Sequence, residues 1–180
     1  MLINAAQSAL VIIDMQERLV PAMQAPARTI ENAAKLITAA VELEIPTLLT
    51  EQYPDGLGKT VPQIASVASD FPVYPKMHFS CMNDDGFSAA FRATNRKQVI
   101  IAGMEAHICV VQTAASLMDE GYEVFVVSDA TASRTQASEE ACLARLGAYG
   151  AGIATTEMVI FEWLGKAGTP AFKRLLPLIK

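Results

Sequence analysis

No apolar run in this sequence approaches the ~20 residues needed to span a bilayer. The longest early one extends only from Ala9 to Ile13, and no basic segment precedes it, so a cytoplasmic protein without a membrane partner is expected. Positive charge is also short: 14 Lys and Arg against 19 Asp and Glu leave a net charge of −5 without long runs of one sign. That excludes a surface built to hold a phosphate backbone, and nucleic acid is not an expected partner. Cysteine is sparse, and Cys81, Cys109 and Cys142 form no CxxC pair. An odd, widely spaced set suits a reducing compartment better than a disulfide framework, and leaves one thiol to act as a nucleophile. No G-x-G-x-x-G follows the Ala9 to Ile13 run, so a nucleotide-binding Rossmann domain lacks support. Internal repeats and low-complexity linkers are missing as well.

What is present is a chain of 180 residues, 52% hydrophobic, enough to bury one sizeable core; a single domain over residues 1–180 is expected. Short apolar runs rich in β-branched residues alternate with longer segments of helical period. This is the pattern of parallel strands covered on both faces, and it predicts an α/β fold, a three-layer α/β/α sandwich around a mostly parallel sheet. The candidate strands are Ala9 to Ile13, Pro46 to Thr50, Val73 and Tyr74, Gln98 to Ala102, Glu123 to Val127, and a weak one at Ile153 to Thr155. Pro26 can open a helix with Ile30, Ala33, Ala34, Ile37 and Val41 on one stripe, which Pro46 prevents from continuing. A second helix begins near Cys109 and ends before Gly121. Others cover Gly86 to Thr94, Gln136 to Tyr149, Met158 to Gly165 and Pro170 to Leu178.

Ligands of open α/β sheets bind beyond the carboxyl ends of the strands. Three reactive side chains stand there: Asp14 after the first strand, Lys76 after the Val73-Tyr74 run, and Cys109 after Gln98 to Ala102. A free thiol, with a pKa of ~8.5, needs help to react near neutrality. A helix N-terminus at Cys109 and the Lys76 ammonium would favour its thiolate. Asp14, at the end of an apolar strand, can take the thiol proton and return it to a leaving group. Backbone N–H groups in the Gly103 to Cys109 turn can hold an oxyanion.

Three segments, Asp14-Met15-Gln16, Pro75-Lys76 and Gly103-Met104-Glu105-Ala106-His107-Ile108-Cys109-Val110-Val111-Gln112-Thr113, resemble the signature segments of isochorismatase-like cysteine hydrolases. The stretch Thr50-Glu51-Gln52-Tyr53-Pro54-Asp55-Gly56-Leu57-Gly58 is similar to the branch called isochorismatase domain-containing proteins, with bacterial YcaC-like hydrolases as relatives. The likeness runs from Ser8 to about Thr156. It implies a triad of Asp14, Lys76 and Cys109, and a thioester intermediate in hydrolysis of a small amide-like C–N substrate. It further implies a non-proline cis peptide at Met104-Glu105 that turns the Glu105 and Cys109 amides into an oxyanion hole. Nicotinamidases of this superfamily hold a metal through an Asp and two His. The loop Glu51 to Lys59 contains no histidine, so neither metal nor cofactor is expected and nicotinamide is disfavoured. Isochorismatases proper lack the cysteine, so the family name is not itself the expected activity. Relatives assemble as dimers, tetramers or larger rings; a homo-oligomer is expected, with Ala167 to Lys180 as a segment that can meet a neighbour.

Gln16, Glu51, Tyr53 and Phe79 lie on segments that should border the pocket and are candidate substrate contacts. His107 is read as lining the pocket or holding structure rather than as the base. His78 has no second histidine at ligand spacing. Asp129 fits a turn or cap better than the cleft, and Cys81 and Cys142 read as packed small hydrophobes. The rival reading is a binding or scaffold protein that keeps the fold with weak or no activity. Thiol reactivity discriminates: an enzyme requires Cys109 to label far faster than Cys81 or Cys142.

Overall fold

The computed structural model of the protein describes residues 2–179. A six-stranded sheet runs through its centre: β1 (Ser8–Ile13), β2 (Thr47–Gln52), β3 (Val73–Lys76), β4 (Gln98–Met104), β5 (Glu123–Ala132) and β6 (Gly152–Ala154). The spatial order is β3-β2-β1-β4-β5-β6, and every neighbouring pair is parallel. Around it lie α1 (Pro26–Glu42), α2 (Pro54–Leu57), α3 (Pro62–Val67), α4 (Asp85–Ala93), α5 (Val111–Asp119), α6 (Gln136–Tyr149), α7 (Thr156–Leu164) and α8 (Pro170–Leu175).

Side chains of β1 alternate between two cores. Leu10 and Ile12 pack with Ala33, Leu36 and Ile37 of α1 and with Val159, Ile160 and Trp163 of α7. Ala9, Val11 and Ile13 pack with Phe87 and Phe91 of α4, Ala114 and Leu117 of α5, and Leu146 of α6. Both faces of β1 and β4 are therefore covered, which is why these strands read as continuous apolar runs. The result is an α/β/α sandwich whose sheet is parallel throughout. No helix among the described residues is long and apolar enough to cross a membrane.

The structure departs from the sequence reading in several places. Val41 is 50% exposed, because the buried face of α1 is centred on Thr29, Ala33, Leu36, Ile37 and Ala40, and at the helical period Val41 falls with the half-buried Ile30 and Ala34 at the margin of that face. The fifth strand continues past Val127 to Ala132, and its pairing with β4 shifts from Ile101–Val126 to Gly103–Thr131, so a bulge absorbs the extra residues. The helix expected to begin at Cys109 starts earlier, as a π-helical turn over Ala106–Val110 that contains it. The apolar side of the C-terminal segment is used within the chain: Leu175 is buried, and Leu178 and Ile179 pack on the α1 side of the sheet. Lys180 lies outside the described residues.

The chain leaves β1 toward β2 and β3 on one side, then returns to β4 and proceeds through β5 and β6 on the other. Chain direction across the sheet therefore reverses between β1 and β4, and a crevice opens at their carboxyl ends.

Candidate active site

Asp14 ends β1 in the left-handed region, with φ 51°, while its N–H still donates to the Thr50 carbonyl at 3.2 Å. On the other flank, β4 comes so close that a Cβ at Gly103 would lie 2.1 Å from the Ile13 carbonyl oxygen, and Gly103 itself has φ 129°. Only glycine meets both conditions. The Asp14 carboxylate accepts a hydrogen bond from Thr50 Oγ1 at Oδ1 (2.7 Å), and its Oδ2 lies 2.8 Å from Lys76 Nζ. Lys76 is the last residue of β3, and its side chain spans the width of β2 to reach β1. On the way it donates to Gln52 Oε1 at 2.6 Å and to the carbonyls of His78 and Phe79 at 3.3 and 3.4 Å. Both side chains of the ion pair are wholly enclosed, 0% exposed. Burial pushes the ammonium toward its neutral form, but the nearby Asp14 carboxylate outweighs it and the Lys76 pKa ends raised. A buried ion pair adds little net stability over apolar packing, so its presence at a strand-end crevice points to chemistry.

The Met104–Glu105 peptide that follows β4 is cis. The Glu105 carbonyl then accepts from Ile108 N (3.0 Å) and Val110 N (3.2 Å), passing over the amide of Cys109 between them. Cys109 is 5% exposed and lies near enough to Asp14 for the carboxylate to bear on its thiol. Burial first, and Asp14 second, push this thiol up to about 12, against the opposing pull of Lys76. Lys76 does favour the thiolate, as expected, but burial and Asp14 outweigh it. The lysine is neutralised by an aspartate 2.8 Å away, so the resting sulfur carries its proton.

Two participants were not singled out from the sequence, and a third, Cys81, was read only as a packed small hydrophobe. Thr50 and Gln52 hold the carboxylate and the ammonium; both lie at the carboxyl end of β2, where the same strand-end rule would have found them. Cys81 sits fully buried in a turn after β3. It accepts from Thr113 Oγ1 at 3.3 Å, and its own N–H donates to that oxygen at 3.0 Å. Nothing in its sequence context distinguishes it from a packing residue.

Of the candidate substrate contacts, two are otherwise engaged. Gln16 is buried, donating from Nε2 to the Gln52 and Gly58 carbonyls (2.9 and 2.8 Å) and accepting from Gln52 N (2.8 Å). Glu51 accepts from Thr60 N and Oγ1 (2.7 and 2.8 Å) and approaches Lys59. Both hold the loop that includes α2 and leave no side-chain group for a ligand. Tyr53 and Phe79 are half exposed, on segments whose backbone wraps Lys76: Tyr53 N donates to the Lys76 carbonyl (2.9 Å), and the Phe79 carbonyl accepts from its ammonium. His107 turns aside. Its Nδ1 pairs with Ser133 Oγ at 2.9 Å, and it lines a cavity of about 220 Å³ with Ser138, Cys142 and Arg145 that none of Asp14, Lys76 and Cys109 borders. Asp129 accepts from Thr156 N and Oγ1 (2.8 and 2.9 Å), capping α7 from the β5 bulge. His78 is exposed beside Asp84. Among the described residues no three His, Cys, Asp or Glu side chains are grouped to hold a metal.

A family model described as Isochorismatase domain matches residues 8–158. Among curated proteins, Isochorismatase domain-containing protein 2 of Danio rerio is 38% identical over 172 residues, covering 96% of this chain and 86% of that protein. Among solved structures, the MAR1 ribonuclease from Caenorhabditis elegans superposes with a TM-score of 0.93 at 36% identity, over 99% of this chain and 92% of the other. YcaC superposes in two forms. The Pseudomonas aeruginosa protein, solved with covalent acrylamide, gives 0.92 at 27% identity over 98% and 91% of the two chains. The Escherichia coli protein, described as an octameric hydrolase of unknown specificity, gives 0.92 at 26% identity over 98% and 90%.

Proposed function

Because the chain belongs to the isochorismatase family, we propose that it is a cofactor-free hydrolase that cleaves a small amide or related C–N bond through a thioester on Cys109. Family membership supports the hydrolase; the observation that carries the rest is a buried thiol beside an aspartate that is ion-paired, at 2.8 Å, to a buried lysine. As the sulfur attacks the carbonyl carbon, Asp14 takes the thiol proton and the carbonyl π electrons move onto oxygen. The N–H groups of Glu105 and Cys109 receive that oxyanion. Collapse breaks the C–N bond, and Asp14 passes its proton to the departing nitrogen. Water then attacks the thioester, Asp14 accepts one of its protons, the S–C bond breaks to release the acid, and Asp14 returns the proton to the departing sulfur, restoring thiol and carboxylate. Lys76 holds the Asp14 carboxylate in place at 2.8 Å and balances the charge developing on sulfur. Tyr53 and Phe79, half exposed beside Lys76, are the side chains left to meet substrate.

Acrylamide is the probe at hand, since a YcaC relative has been solved with it bound covalently. Mass spectrometry of wild type should show addition at Cys109 ahead of Cys81 and Cys142, and none at that position in Cys109→Ala. Asp14→Asn separates two roles. Removing a negative charge that raises the thiol pKa should speed labelling if thiolate content governs it. If Asp14 is the base, labelling slows by about 10²-fold. Faster labelling in this variant would end the general-base assignment.

A second reading comes from the C. elegans relative, described as a ribonuclease: the same cysteine site would then serve phosphodiester chemistry. The net charge of −5 without basic runs does not favour it, and RNA cleavage lost in Cys109→Ala would. We also propose self-association, in line with the octameric E. coli relative; light scattering that gives the mass of one chain would refute it.

A further inference from the structure

We propose that Ser133, Arg134 and Cys142 are positioning residues that clamp the Glu105–His107 turn and so fix the Glu105 and Cys109 amides where an oxyanion forms. Each of three successive turn residues is gripped by a different side chain. Arg134 Nε donates to Glu105 Oε2 at 2.7 Å, and Cys142 Sγ donates to the Ala106 carbonyl at 3.0 Å. His107 N donates to Ser133 Oγ at 3.4 Å, and its Nδ1 meets the same oxygen at 2.9 Å.

The topology explains how the grips arrive. Ala132 at the end of β5 pairs with Met104 at the end of β4, which delivers the next two residues, Ser133 and Arg134, beside the turn. Ser133 is fully buried, and its own carbonyl accepts from Gln24 N at 2.9 Å, so its hydroxyl starts from a fixed backbone. Cys142 comes from α6 on the other side, and burial pushes its thiol up to about 11, which keeps it a donor at neutral pH. Within the turn the Glu105 carbonyl accepts from both Ile108 and Val110, and the Ala106 carbonyl accepts from Val111 as well as from Cys142. Oxyanion stabilisation depends on donors fixed before the reaction starts. External grips supply that rigidity here.

The inference rests on the thioester reading of Cys109, and two reagents keep the two apart. A small aldehyde adds to the thiol: the S–C bond forms, the C=O π pair moves to oxygen, and the thiol proton ends on that oxygen. Its affinity reports the oxyanion site. Iodoacetamide forms an S–C bond with loss of iodide and of the thiol proton, and generates no oxyanion. In Ser133→Ala, Cys142→Ala and Arg134→Gln, aldehyde affinity should fall about ten-fold, short of the roughly 10²–10³ lost when a donor is removed outright. The iodoacetamide rate should stay within about two-fold of wild type, and Cys142→Ser and Arg134→Lys, which keep a donor, should recover most of the loss. A parallel fall in both reactions, or no change in either, overturns the clamp. If neither reagent modifies wild-type Cys109, the thioester reading fails first and the clamp falls with it.

Discussion

The acid, the ammonium and the sulfur stand at the carboxyl ends of β1, β3 and β4, so their shared location could be read from the strand-end rule. Their electrostatics could not, because these depend on burial and ångström separations: Asp14 lies close enough to pair with Lys76, and burial, with Asp14 second, pushes the Cys109 thiol up. The same limit applies to Gln16 and Glu51. Their segments were correctly placed near the crevice, but no sequence feature says that both side chains are spent on backbone partners around Thr60 and Gly58. The Asp14–Lys76 pair makes a sharp prediction at this scale. Lys76→Met keeps the stem and strips the charge, leaving a fully enclosed carboxylate unpaired, and should cost about 3–5 kcal/mol in urea unfolding. Adding Asp14→Asn should restore most of that stability, because the uncompensated charge goes with it. Wild-type stability in the single variant would show that the lysine is not what balances Asp14.

Continuous apolar runs and helical stripes located the strands and most helices because the sheet is covered on both faces. The short α2 and α3 went unread because they lack a long stripe. The β5 bulge was hidden for a different reason: Ser128-Asp129 reads as a turn, yet strand pairing resumes beyond it at Thr131 and Ala132. The bulge also lets Asp129 cap α7 through Thr156, so the cap half of the sequence reading is what the structure displays. Asp129→Ala should therefore lower stability by about 1 kcal/mol, as for other lost helix caps, and leave Cys109 labelling by acrylamide unchanged. A drop in labelling without a drop in stability would relocate Asp129 to the crevice.

Three thiols whose pKa values rise mainly through burial give the whole molecule a pH signature. Cys81 and Cys109 are pushed up to about 12 and Cys142 to about 11, from an ordinary value of 9.0. Above pH 9 the unfolded chain has lost thiol protons that the folded one keeps, so stability falls as pH rises, by up to about 1.4 kcal/mol per pH unit for each thiol. Lys76 adds in the same direction. Its raised folded pKa contributes stability that is complete below 10.5 and disappears as pH climbs through the folded value. Urea unfolding between pH 7 and 11 should decline steadily past 9, less steeply in Cys81→Ala; a flat profile would contradict burial of the thiols. The lysine has one more consequence. β3 is an edge strand of four residues, mostly open to solvent and interrupted by Pro75, and such margins fray before the interior loosens. Because its last residue supplies the cation for a carboxylate two strands inward, heating should silence the chemistry while spectroscopic signals from the core still report an intact fold.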